Sequence, residues 1–412
     1  MQNPYDVIVI GGGASGMMAA GQAAERGRRV LLLEKNKNLG EKLKITGGGR
    51  CNITNAEESE HIFLAHYGQA ARWLYSPFSQ FGVKDTFSFF EKGGMPLVVE
   101  EEKRVFPQTE KAADVVQALI ENLKEKKVEI RTQAAVNGFL TGNGSIQKVI
   151  VDKEELAASS YILSTGGLSH PETGSTGDGF RWLEEIGHTV QVPTPDLVPI
   201  AVKDSWVKEL SGITLSNAKI TFFIDKKKNL SLKGKILFTH FGLSGSLILN
   251  AAKKVSDMLQ EGIVTALIDA FPNIDPGALD KQITEIFDAN KNKAIKNVFA
   301  IIAPDGAAKA ILPLLKNIDP EKKVHSITKE ERREMARLLK TLPVGISGLM
   351  GYDKAIVVDG GLSLQEVDAK TMRSKLYPNL YITGDLLNIN RPSGGYSLQL
   401  CWTTGYVAGN HA

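Results

Sequence analysis

The sequence predicts an α/β fold built around a parallel sheet. Three features support this prediction: a buried strand, a helix and a second strand follow one another at the N-terminus, buried strands return at 161–164 and 380–382, and strands give way to helices in the stretch between. At 412 residues the chain exceeds the size at which one hydrophobic core usually stops growing. We therefore expect two or three domains.

The N-terminal segment predicts a βαβ unit. Residues 5–10 and 29–34 are short apolar runs rich in branched side chains, which is typical of buried parallel strands. Residues 14–26 between them are rich in alanine and methionine and predict a helix that Gly27 ends. The turn Gly11-Gly12-Gly13-Ala14-Ser15-Gly16 fits the pattern G-x-G-x-x-G, directly after a strand and at the start of a helix.

Each glycine of this turn has a physical task in binding a dinucleotide. Gly11 makes the tight turn, Gly13 lets the backbone touch a pyrophosphate, and Gly16 lets the helix pack closely on the strand. The unpaired N–H groups at the helix start, at Ala14 and Ser15, attract the phosphates. Glu34 ends the second strand, where a carboxylate accepts the ribose hydroxyls and favours a free 2′-hydroxyl. The alternative to a dinucleotide site is a chance glycine turn.

Further elements follow in order. Residues 112–126 predict an amphipathic helix, and 128–131, 135–140, 146–151 and 161–164 predict strands, the middle two joined by Gly142-Asn143-Gly144. Strands are expected again at 197–202, 218–224 and 230–238, followed by a mostly helical stretch from 247 to about 342. The chain closes with strands at 355–358 and 380–382 and a helix at 396–408.

Five further motifs carry a resemblance to a known family. They are the glycine-rich loop 40–52 (GEKLKITGGGRCN), the turn 164–167 (STGG) with the loop 173–179 (TGSTGDG), the segment 238–245 (FTHFGLSG), and the C-terminal segments 382–385 (ITGD) and 394–399 (GGYSLQ). In this order they resemble a family of bacterial FAD flavoproteins labelled bile-acid Δ4,6-reductase-like or aminoacetone-oxidase-like.

The resemblance implies FAD as the cofactor and a discontinuous chain plan. We expect a Rossmann-like FAD-binding domain from 1–193 and 346–412, an inserted β-barrel-like domain from 194–250 and 320–345, and a small helical domain from 251–319. The residues expected to bind FAD are Gly11, Gly13, Ala14, Ser15, Gly16, Glu34, Lys35, Lys42, Gly48, Gly49, Arg50, Cys51, Val136, Thr165, Gly166, Gly167, Gly384, Asp385, Gly394, Gly395, Tyr396 and Ser397.

The C-terminal motif differs from the family pattern at several polar positions. Asp385 stands where the family commonly has Glu, and Ser397 where it often has Asn. Asn388, Asn390 and Arg391 replace acidic residues and a glycine. Gly394 and Gly395 precede the last helix, whose amides are expected to face the flavin edge that becomes negative on reduction. Lys42 and Arg50 are expected to add positive charge near the phosphates or the flavin.

Two residues are candidate proton donors, each with a structural alternative. His240 either donates a proton to substrate or ties a strand to a loop, and Tyr396 either acts as an acid or packs against the flavin ring. Cys51 is either a thiol of lowered pKa near a helix start or a small buried side chain.

Composition narrows the class of protein. The formal net charge of +3 argues against nucleic acid as the main partner. Two cysteines, 350 positions apart, build no disulfide framework and no C-x-x-C redox pair, which favours the cytoplasm. The uncharged run 7–24 contains five glycines and predicts strand, turn and helix, so we expect no membrane span. No cluster has metal-ligand spacing.

These features together predict an FAD-dependent oxidoreductase. We expect it to act on a small organic molecule by hydride transfer through flavin N5, with NAD(P)H as a candidate donor. The resemblance implies reduction of a conjugated C=C bond as the sharpest candidate, with amine oxidation by O₂ as the other activity that the family labels name. No second G-x-G-x-x-G marks a separate nicotinamide domain. A tRNA-modifying flavoprotein and a non-catalytic FAD-binding protein are the alternatives. The oligomeric state is left open.

Overall fold

The computed structural model describes residues 4–412. The chain forms two compact units, one made of the described residues up to Asp196 together with Tyr352–Ala412, and the other made of Leu197–Gly351.

In chain order the strands are β1 (Tyr5–Ile10), β2 (Val30–Leu33), β3 (Thr54–Asn55), β4 (Leu97–Val99), β5 (Arg104–Pro107), β6 (Glu129–Arg131), β7 (Val136–Gly142), β8 (Ser145–Val151), β9 (Glu154–Leu156), β10 (Ala158–Leu163), β11 (Val190–Asp196), β12 (Ile200–Val202), β13 (Thr214–Ile224), β14 (Lys227–Thr239), β15 (Gly242–Ser244), β16 (Val264–Asp269), β17 (Leu342–Leu349), β18 (Val357–Leu362) and β19 (Leu380–Ile382). The helices are α1 (Ala14–Glu25), α2 (Glu41–Ile45), α3 (Glu60–Ala65), α4 (Ala71–Gln80), α5 (Val83–Lys92), α6 (Ala112–Glu125), α7 (Asp178–Glu185), α8 (Ser205–Glu209), α9 (Ser246–Glu261), α10 (Pro276–Ala289), α11 (Ile295–Ile302), α12 (Ala308–Ile311), α13 (Lys329–Lys340) and α14 (Tyr396–His411).

The first unit is built on a five-stranded parallel sheet in the order β19–β10–β1–β2–β6. Strand β2 and residues Val7–Ile10 of β1 are buried, as expected for parallel strands covered on both faces. Antiparallel sheets β3–β5–β4, β7–β8–β9 and β11–β18 complete the unit. The predicted α/β class with a parallel Rossmann-type core is confirmed.

The last helix, α14, packs closely on the first helix, α1. A Cβ atom at Gly405 would lie 2.4 Å from the Ser15 carbonyl oxygen, and one at Gly409 would lie 2.3 Å from the Ala19 carbonyl oxygen. Glycine, which has no side chain, is what lets the two backbones meet at these points. The α14 helix thereby joins the C-terminal segment to the N-terminal βαβ unit.

The second unit contains a closed six-stranded barrel in the order β12–β15–β14–β13–β16–β17. Helical residues such as Ile283 and Phe299 belong to the same hydrophobic core as the barrel residues Ile220 and Phe222. The segment 251–319, expected as a separate helical domain, thus shares its core with the barrel. The expected domain border between 345 and 346 falls within β17.

Sequence reasoning missed some elements. Strand β16 lies in the stretch predicted as mostly helical, although its burial alternates with period two, with Val264, Ala266 and Ile268 facing inward. The helices α3, α4 and α5 lie in a segment for which no helix was predicted. Across residues 4–412, no helix combines the length and the apolar character needed to cross a bilayer. The uncharged run 7–24 falls within β1, the glycine turn and α1.

Candidate functional site

The turn after β1 has the backbone geometry that its glycines predict. Gly11 has φ +105°, and a Cβ atom there would lie 2.4 Å from the Ser164 carbonyl oxygen. A Cβ atom at Gly16 would lie only 1.8 Å from the Gly11 carbonyl oxygen. At Gly13 the situation is reversed, because a Cβ atom would meet no atom within 4 Å. Gly11 and Gly16 therefore serve packing, whereas Gly13 borders open space.

The start of α1 faces that open space with unpaired donors. Gly13 is the N-cap residue, no side chain caps the helix, and its first turn contains no acidic residue. The first N–H groups of a helix, here at Ala14, Ser15 and Gly16, have no carbonyl partner within it. Together with the positive end of the helix dipole they form a site for an anion such as a phosphate.

Glu34 lies beside this turn at the end of β2. Its side chain is buried and accepts hydrogen bonds from the Gly12 N–H at 2.7 Å and from the Asn36 N–H at 2.8 Å. Each carboxylate oxygen retains a second lone pair, so the group can also accept from ribose hydroxyls. Val136 begins β7 close by, since the Ala134 N–H donates to the Glu34 carbonyl oxygen.

Lys35 forms an ion pair within the first unit. Its Nζ lies 2.7 Å from a carboxylate oxygen of Asp178 and also donates to Thr176. This contact joins the end of β2 to the start of α7.

The glycine-rich loop after β2 combines open backbone with one buried thiol. Gly48 and Gly49 have φ +68° and +87°, and a Cβ atom at either would meet nothing within 4 Å. Cys51 is fully buried, and burial raises the pKa of its thiol to about 12. Of the two interpretations of Cys51, the small buried side chain agrees with this geometry and the thiol of lowered pKa does not.

Arg50 is held by acidic side chains of the same unit. Its guanidinium pairs with Glu100 and Glu110 and lies over the Phe106 ring at 4.1 Å from the ring centre. These acidic partners neutralise the positive charge of Arg50, which was expected to lie near the phosphates or the flavin.

The second predicted turn, after β10, contains an unpartnered polar atom. The hydroxyl oxygen of Thr165 is buried and has no hydrogen-bond partner. Gly166 has φ +73°, and a Cβ atom at Gly167 would lie 3.0 Å from a Val358 methyl carbon. The turn is therefore tightly packed on one side and has a free hydroxyl to offer.

Gly384 brings the C-terminal motif to the start of α1. A Cβ atom at Gly384 would lie 2.8 Å from the Ser15 hydroxyl oxygen, and its N–H donates to the Thr404 hydroxyl at 3.0 Å. Asp385 therefore follows directly after a contact with the first turn of α1. The predicted phosphate site and the C-terminal motif thus lie together.

Asp385 belongs to a charged cluster that we name the 42–385–391 cluster, formed by Lys42, Asp385 and Arg391. Lys42 Nζ lies 3.2 Å from one carboxylate oxygen, and Arg391 pairs with the other. Burial raises the pKa of Asp385, but the charges of Arg391 and Lys42 outweigh it, so the pKa lies below its ordinary value. The carboxyl group is therefore ionised at neutral pH.

Sequence reasoning noted Arg391 only as a departure from a family pattern. In the structure its side chain is 1% exposed, and it donates to the Ile389 carbonyl at 2.7 Å and to the Ser397 hydroxyl at 3.0 Å. A charged residue in the run LLNINRPSGG is a signal in itself, because a buried arginine requires partners.

The turn before α14 is fixed against β3. Gly394 and Gly395 have φ +124° and +101°, and a Cβ atom at Gly395 would lie 2.3 Å from the carbonyl group of Thr54. The Asn55 amide donates to the Gly394 carbonyl oxygen at 3.1 Å. The first turn of α14 is thus held in place by main-chain contact.

Tyr396, the first residue of α14, lies in an aromatic cluster. Its ring centre lies 4.9 Å from that of Phe63 and 4.6 Å from that of His66. Burial raises the pKa of its hydroxyl to about 12, and the negative charge of Glu57 contributes. The group is a neutral hydrogen-bond donor across the physiological pH range.

A polar network inside α14 was not predicted. The fully buried Gln399 accepts from the hydroxyls of Thr54 at 2.6 Å and Thr86 at 2.9 Å, and donates to Thr403 at 3.1 Å. It joins α14 to β3 and α5 behind the Gly394–Gly395 turn. A glutamine among apolar residues of a buried helix was the available signal.

The second candidate proton donor, His240, belongs to the other unit. It lies in the turn between β14 and β15, is exposed, and contacts the Phe241 ring edge-on at 4.8 Å. The remaining predicted residues lie in the first unit.

The residues of the first unit fit a dinucleotide cofactor. Open space borders Gly13, Gly48 and Gly49, the α1 start has unpaired N–H groups, and the Thr165 hydroxyl lacks a partner. These are the features that a bound pyrophosphate and ribose would satisfy.

Comparisons with known proteins agree with this geometry. The family model of the HI0933-like protein Rossmann domain matches residues 5–411. The chain is 28% identical to a 3-dehydro-bile acid delta(4,6)-reductase of Clostridium scindens, over 98% of both chains. It is 27% identical to a ribosomal RNA dihydrouridine synthase of Escherichia coli, over 98% of this chain and 96% of that one.

A solved structure of 3-ketosteroid delta1-dehydrogenase from Sterolibacterium denitrificans has a TM-score of 0.55 at 14% identity and 99% coverage of each chain, a likeness that shows the fold. The family match spans nearly every described residue. The chain therefore belongs to the HI0933-like family and is an FAD-dependent oxidoreductase.

Proposed function

We propose that the protein reduces a C=C bond conjugated with a carbonyl group in a small organic substrate. The names of the relatives support a shared reaction. A delta(4,6)-reductase of a 3-dehydro compound acts on double bonds conjugated with a carbonyl group. Dihydrouridine is uridine in which the ring C=C bond, which is conjugated with a carbonyl group, has been saturated. Saturation of each such bond adds one hydride and one proton.

The cofactor site that we propose consists of two facing segments of the first unit. Gly13 and the N–H groups of Ala14 and Ser15 hold the pyrophosphate, and Glu34 holds the adenosine ribose. Asp385 and the Gly394–Gly395 turn hold the ribityl chain and the flavin edge. Bound FAD supplies a hydride at its N5 atom.

The observation that carries the proposal is the neutral phenol of Tyr396 at the start of α14. Saturation of the C=C bond requires a hydride at the carbon remote from the carbonyl and a proton at the adjacent carbon. The Tyr396 phenol, which remains protonated at neutral pH beside the Gly394–Gly395 turn, can supply that proton.

We propose NAD(P)H as the electron donor, since the reaction consumes two electrons in each turnover. The test is an anaerobic stopped-flow experiment with NADH and NADPH in separate runs, followed by a conjugated enone. Bleaching of the flavin by one nucleotide and its return on adding the enone are expected. A reduced flavin that dioxygen reoxidises and the enone does not would contradict the proposal.

The matched variant for this test is Tyr396→Phe. We expect it to keep FAD and its reduction by NAD(P)H while slowing reoxidation by the enone about 10²-fold or more, the usual contribution of a positioned acid. A variant that reoxidises at the wild-type rate would leave Tyr396 with a packing role alone. His240→Ala, in the other unit, tests the second candidate donor in the same assay.

A second candidate substrate is a uracil base in RNA, because the Escherichia coli relative is named for ribosomal RNA, not transfer RNA. One surface of the barrel favours it. Six exposed lysines lie on the β13–β14 hairpin and its turn, and two of them, Lys219 and Lys233, are direct cross-strand partners. Like charges in such a pair destabilise a sheet. Lys219 also lies opposite Asp269 of β16, which offsets part of the repulsion, and a phosphate would relieve the rest. The six are Lys219, Lys226, Lys227, Lys228, Lys233 and Lys235.

Salt-dependent RNA binding separates the two candidates. If RNA is the substrate, Lys219→Glu with Lys233→Glu should weaken binding of a ribosomal RNA fragment and lower the salt slope by about one for each lost phosphate contact. Lys124→Glu with Lys127→Glu, which alters exposed lysines of the first unit, is the control. Equal weak binding by all three proteins would favour the small substrate. We also propose the cytoplasm as the compartment, which the two buried free cysteines support.

A further inference from the structure

The contacts of the 42–385–391 cluster hold the Arg391 guanidinium, a positive charge, at one position. All three nitrogen groups of the Arg391 guanidinium are engaged: Nε donates to Ser397 at 3.0 Å, one terminal nitrogen donates to Ile389 at 2.7 Å, and the other pairs with Asp385. The planar fork is therefore held in a single orientation. It joins the segment that follows β19 to the first turn of α14.

The charges of the cluster do not cancel. Lys42 and Arg391 carry two positive charges and Asp385 carries one negative charge, which leaves one net positive charge. The side chains are 23%, 1% and 14% exposed, so water screens this charge poorly. The other titratable groups that the cluster influences, Tyr67 and Cys401, are buried, and burial raises the pKa of each, so both are neutral.

A buried net charge is costly unless an opposite charge meets it. The two segments that Arg391 joins are the ones that we assigned to the ribityl chain and the flavin edge. Reduction makes that edge negative, so a fixed cation between the segments interacts more favourably with the reduced cofactor than with the oxidised one.

We propose that Arg391 is a positioning residue that holds one net positive charge of the 42–385–391 cluster against the flavin and thereby favours its reduced form. The inference rests on the proposed FAD site. It adds to that site a residue that controls the relative stability of reduced and oxidised flavin. It depends on the net charge of the cluster, which two single variants change and the double variant restores.

The series consists of wild type, Arg391→Gln, Asp385→Asn and the double variant. Their net cluster charges are +1, 0, +2 and +1, counted from the same three residues. The ratio of affinities for reduced and oxidised FAD is obtained from an anaerobic dye-equilibration titration with FAD in excess. Substrate is absent, so failure of the proposed reaction does not affect the result, whereas failure of the FAD site itself shows first as a colourless protein.

We expect Arg391→Gln to lower the affinity ratio at least tenfold, equivalent to about 30 mV for a two-electron couple. Asp385→Asn should raise the ratio, and the double variant should return it close to the wild-type value. Arg391→Lys keeps the charge and loses the fork, so it should keep most of the ratio while melting earlier as apo-protein.

Two results would overturn the inference. An Arg391→Gln protein that binds oxidised and reduced FAD with an unchanged ratio would make Arg391 a structural clamp. A double variant that stays at the Arg391→Gln value would show that particular contacts of Asp385 or Arg391, and not the net charge, set the ratio.

Discussion

Glu34 has a structural role in the glycine turn, and we propose that the same side chain binds the adenosine ribose. Its carboxylate holds the Gly12 and Asn36 N–H groups and lies where a ribose is expected. Glu34→Ala should weaken FAD binding roughly 10- to 100-fold, because a charge-assisted hydrogen bond is worth about 1.5–3 kcal/mol. FAD dissociation constants from flavin fluorescence check this, with the exposed Glu185→Ala as the control. Unchanged affinity in a natively folded Glu34→Ala protein would place the ribose elsewhere.

Tyr396 gives the protein a characteristic response to alkali. Its pKa rises from an ordinary value of 10 to about 12 on folding, so the folded state holds the proton more tightly than the unfolded state. The resulting stability is fully present below pH 10 and is lost as the pH rises from 10 towards 12. Buried Tyr67 acts in the same direction.

Tyr396→Phe should therefore show a shallower loss of stability above pH 10 than wild type. Denaturant unfolding of the apo-protein at a series of pH values measures this slope. Tyr75→Phe, at a residue that is 40% exposed, is the control and should follow wild type. Identical slopes for wild type and Tyr396→Phe would mean that the hydroxyl titrates as it does in the unfolded chain.

Residue positions were predictable where a local spacing fixes them. The G-x-G-x-x-G pattern and the position of Glu34 at a strand end follow from neighbours along the chain, and the structure places them together. Arg50 shows the limit, because its partners Glu100 and Glu110 lie 50 and 60 residues away and no local pattern announces them. Arg391 shows the same limit through its link to Lys42 by way of Asp385.

At the level of elements, the strand–turn–helix unit distinguishes two kinds of glycine. Gly13→Ala adds a Cβ atom to open space at an ordinary φ of −83°, whereas Gly16→Ala places one 1.8 Å from a carbonyl oxygen. We expect Gly13→Ala to leave the melting temperature of the apo-protein nearly unchanged and to weaken FAD binding. Gly16→Ala should lower that temperature by several degrees, since overpacking costs about 1–3 kcal/mol.

The comparison of these two variants uses thermal melts of the apo-proteins and FAD titrations of both. Gly13→Ala that binds FAD as wild type does would show that no cofactor group approaches this turn. If the Gly16→Ala variant keeps the wild-type melting temperature, then α1 can shift on β1 to make room for the new methyl group. That result would contradict a tight contact between Gly16 and the Gly11 carbonyl oxygen.

Elements whose apolar residues recur at a clear spacing were predictable. Short elements inside a stretch with a different spacing were not. The amphipathic α6 and the buried strands β1, β2 and β19 were expected close to their observed bounds, whereas β10 begins three residues before its predicted start. Strand β16 is only six residues long between helices, so its alternation was lost in the helical pattern around it. The helix α4 contains Pro77, which weakens a helical signal in the sequence.

At the scale of the whole molecule, the second unit has its own hydrophobic core, and the two ends of its chain lie side by side. Its first and last strands, β12 and β17, pair with Ile200 opposite Leu349, so the chain leaves the unit beside the place where it begins. We expect the fragment 197–351 to fold alone and to bind no FAD. Circular dichroism with cooperative thermal unfolding and an FAD titration test both parts. A fragment that aggregates or unfolds without cooperativity would mean that its core depends on the first unit.

The complementary deletion tests the same idea from the other side. Replacing 197–351 by a short glycine-serine linker should leave the parallel sheet, α1 and α14 able to retain FAD, because the proposed cofactor residues lie in the first unit. The flavin-to-protein ratio after gel filtration measures this. Loss of FAD from a folded protein would assign part of the cofactor site to the barrel unit.

The close packing of α14 on α1 has a consequence for synthesis on the ribosome. Gly405, which meets Ser15, is made 390 residues later, which takes roughly 20–80 s at about 5–20 residues per second. During that interval the apolar face of α1 lacks its permanent neighbour, and the strand β19 that borders the sheet does not yet exist. We therefore expect the nascent chain to benefit from chaperone protection, and the yield of protein able to take up FAD to vary with translation speed.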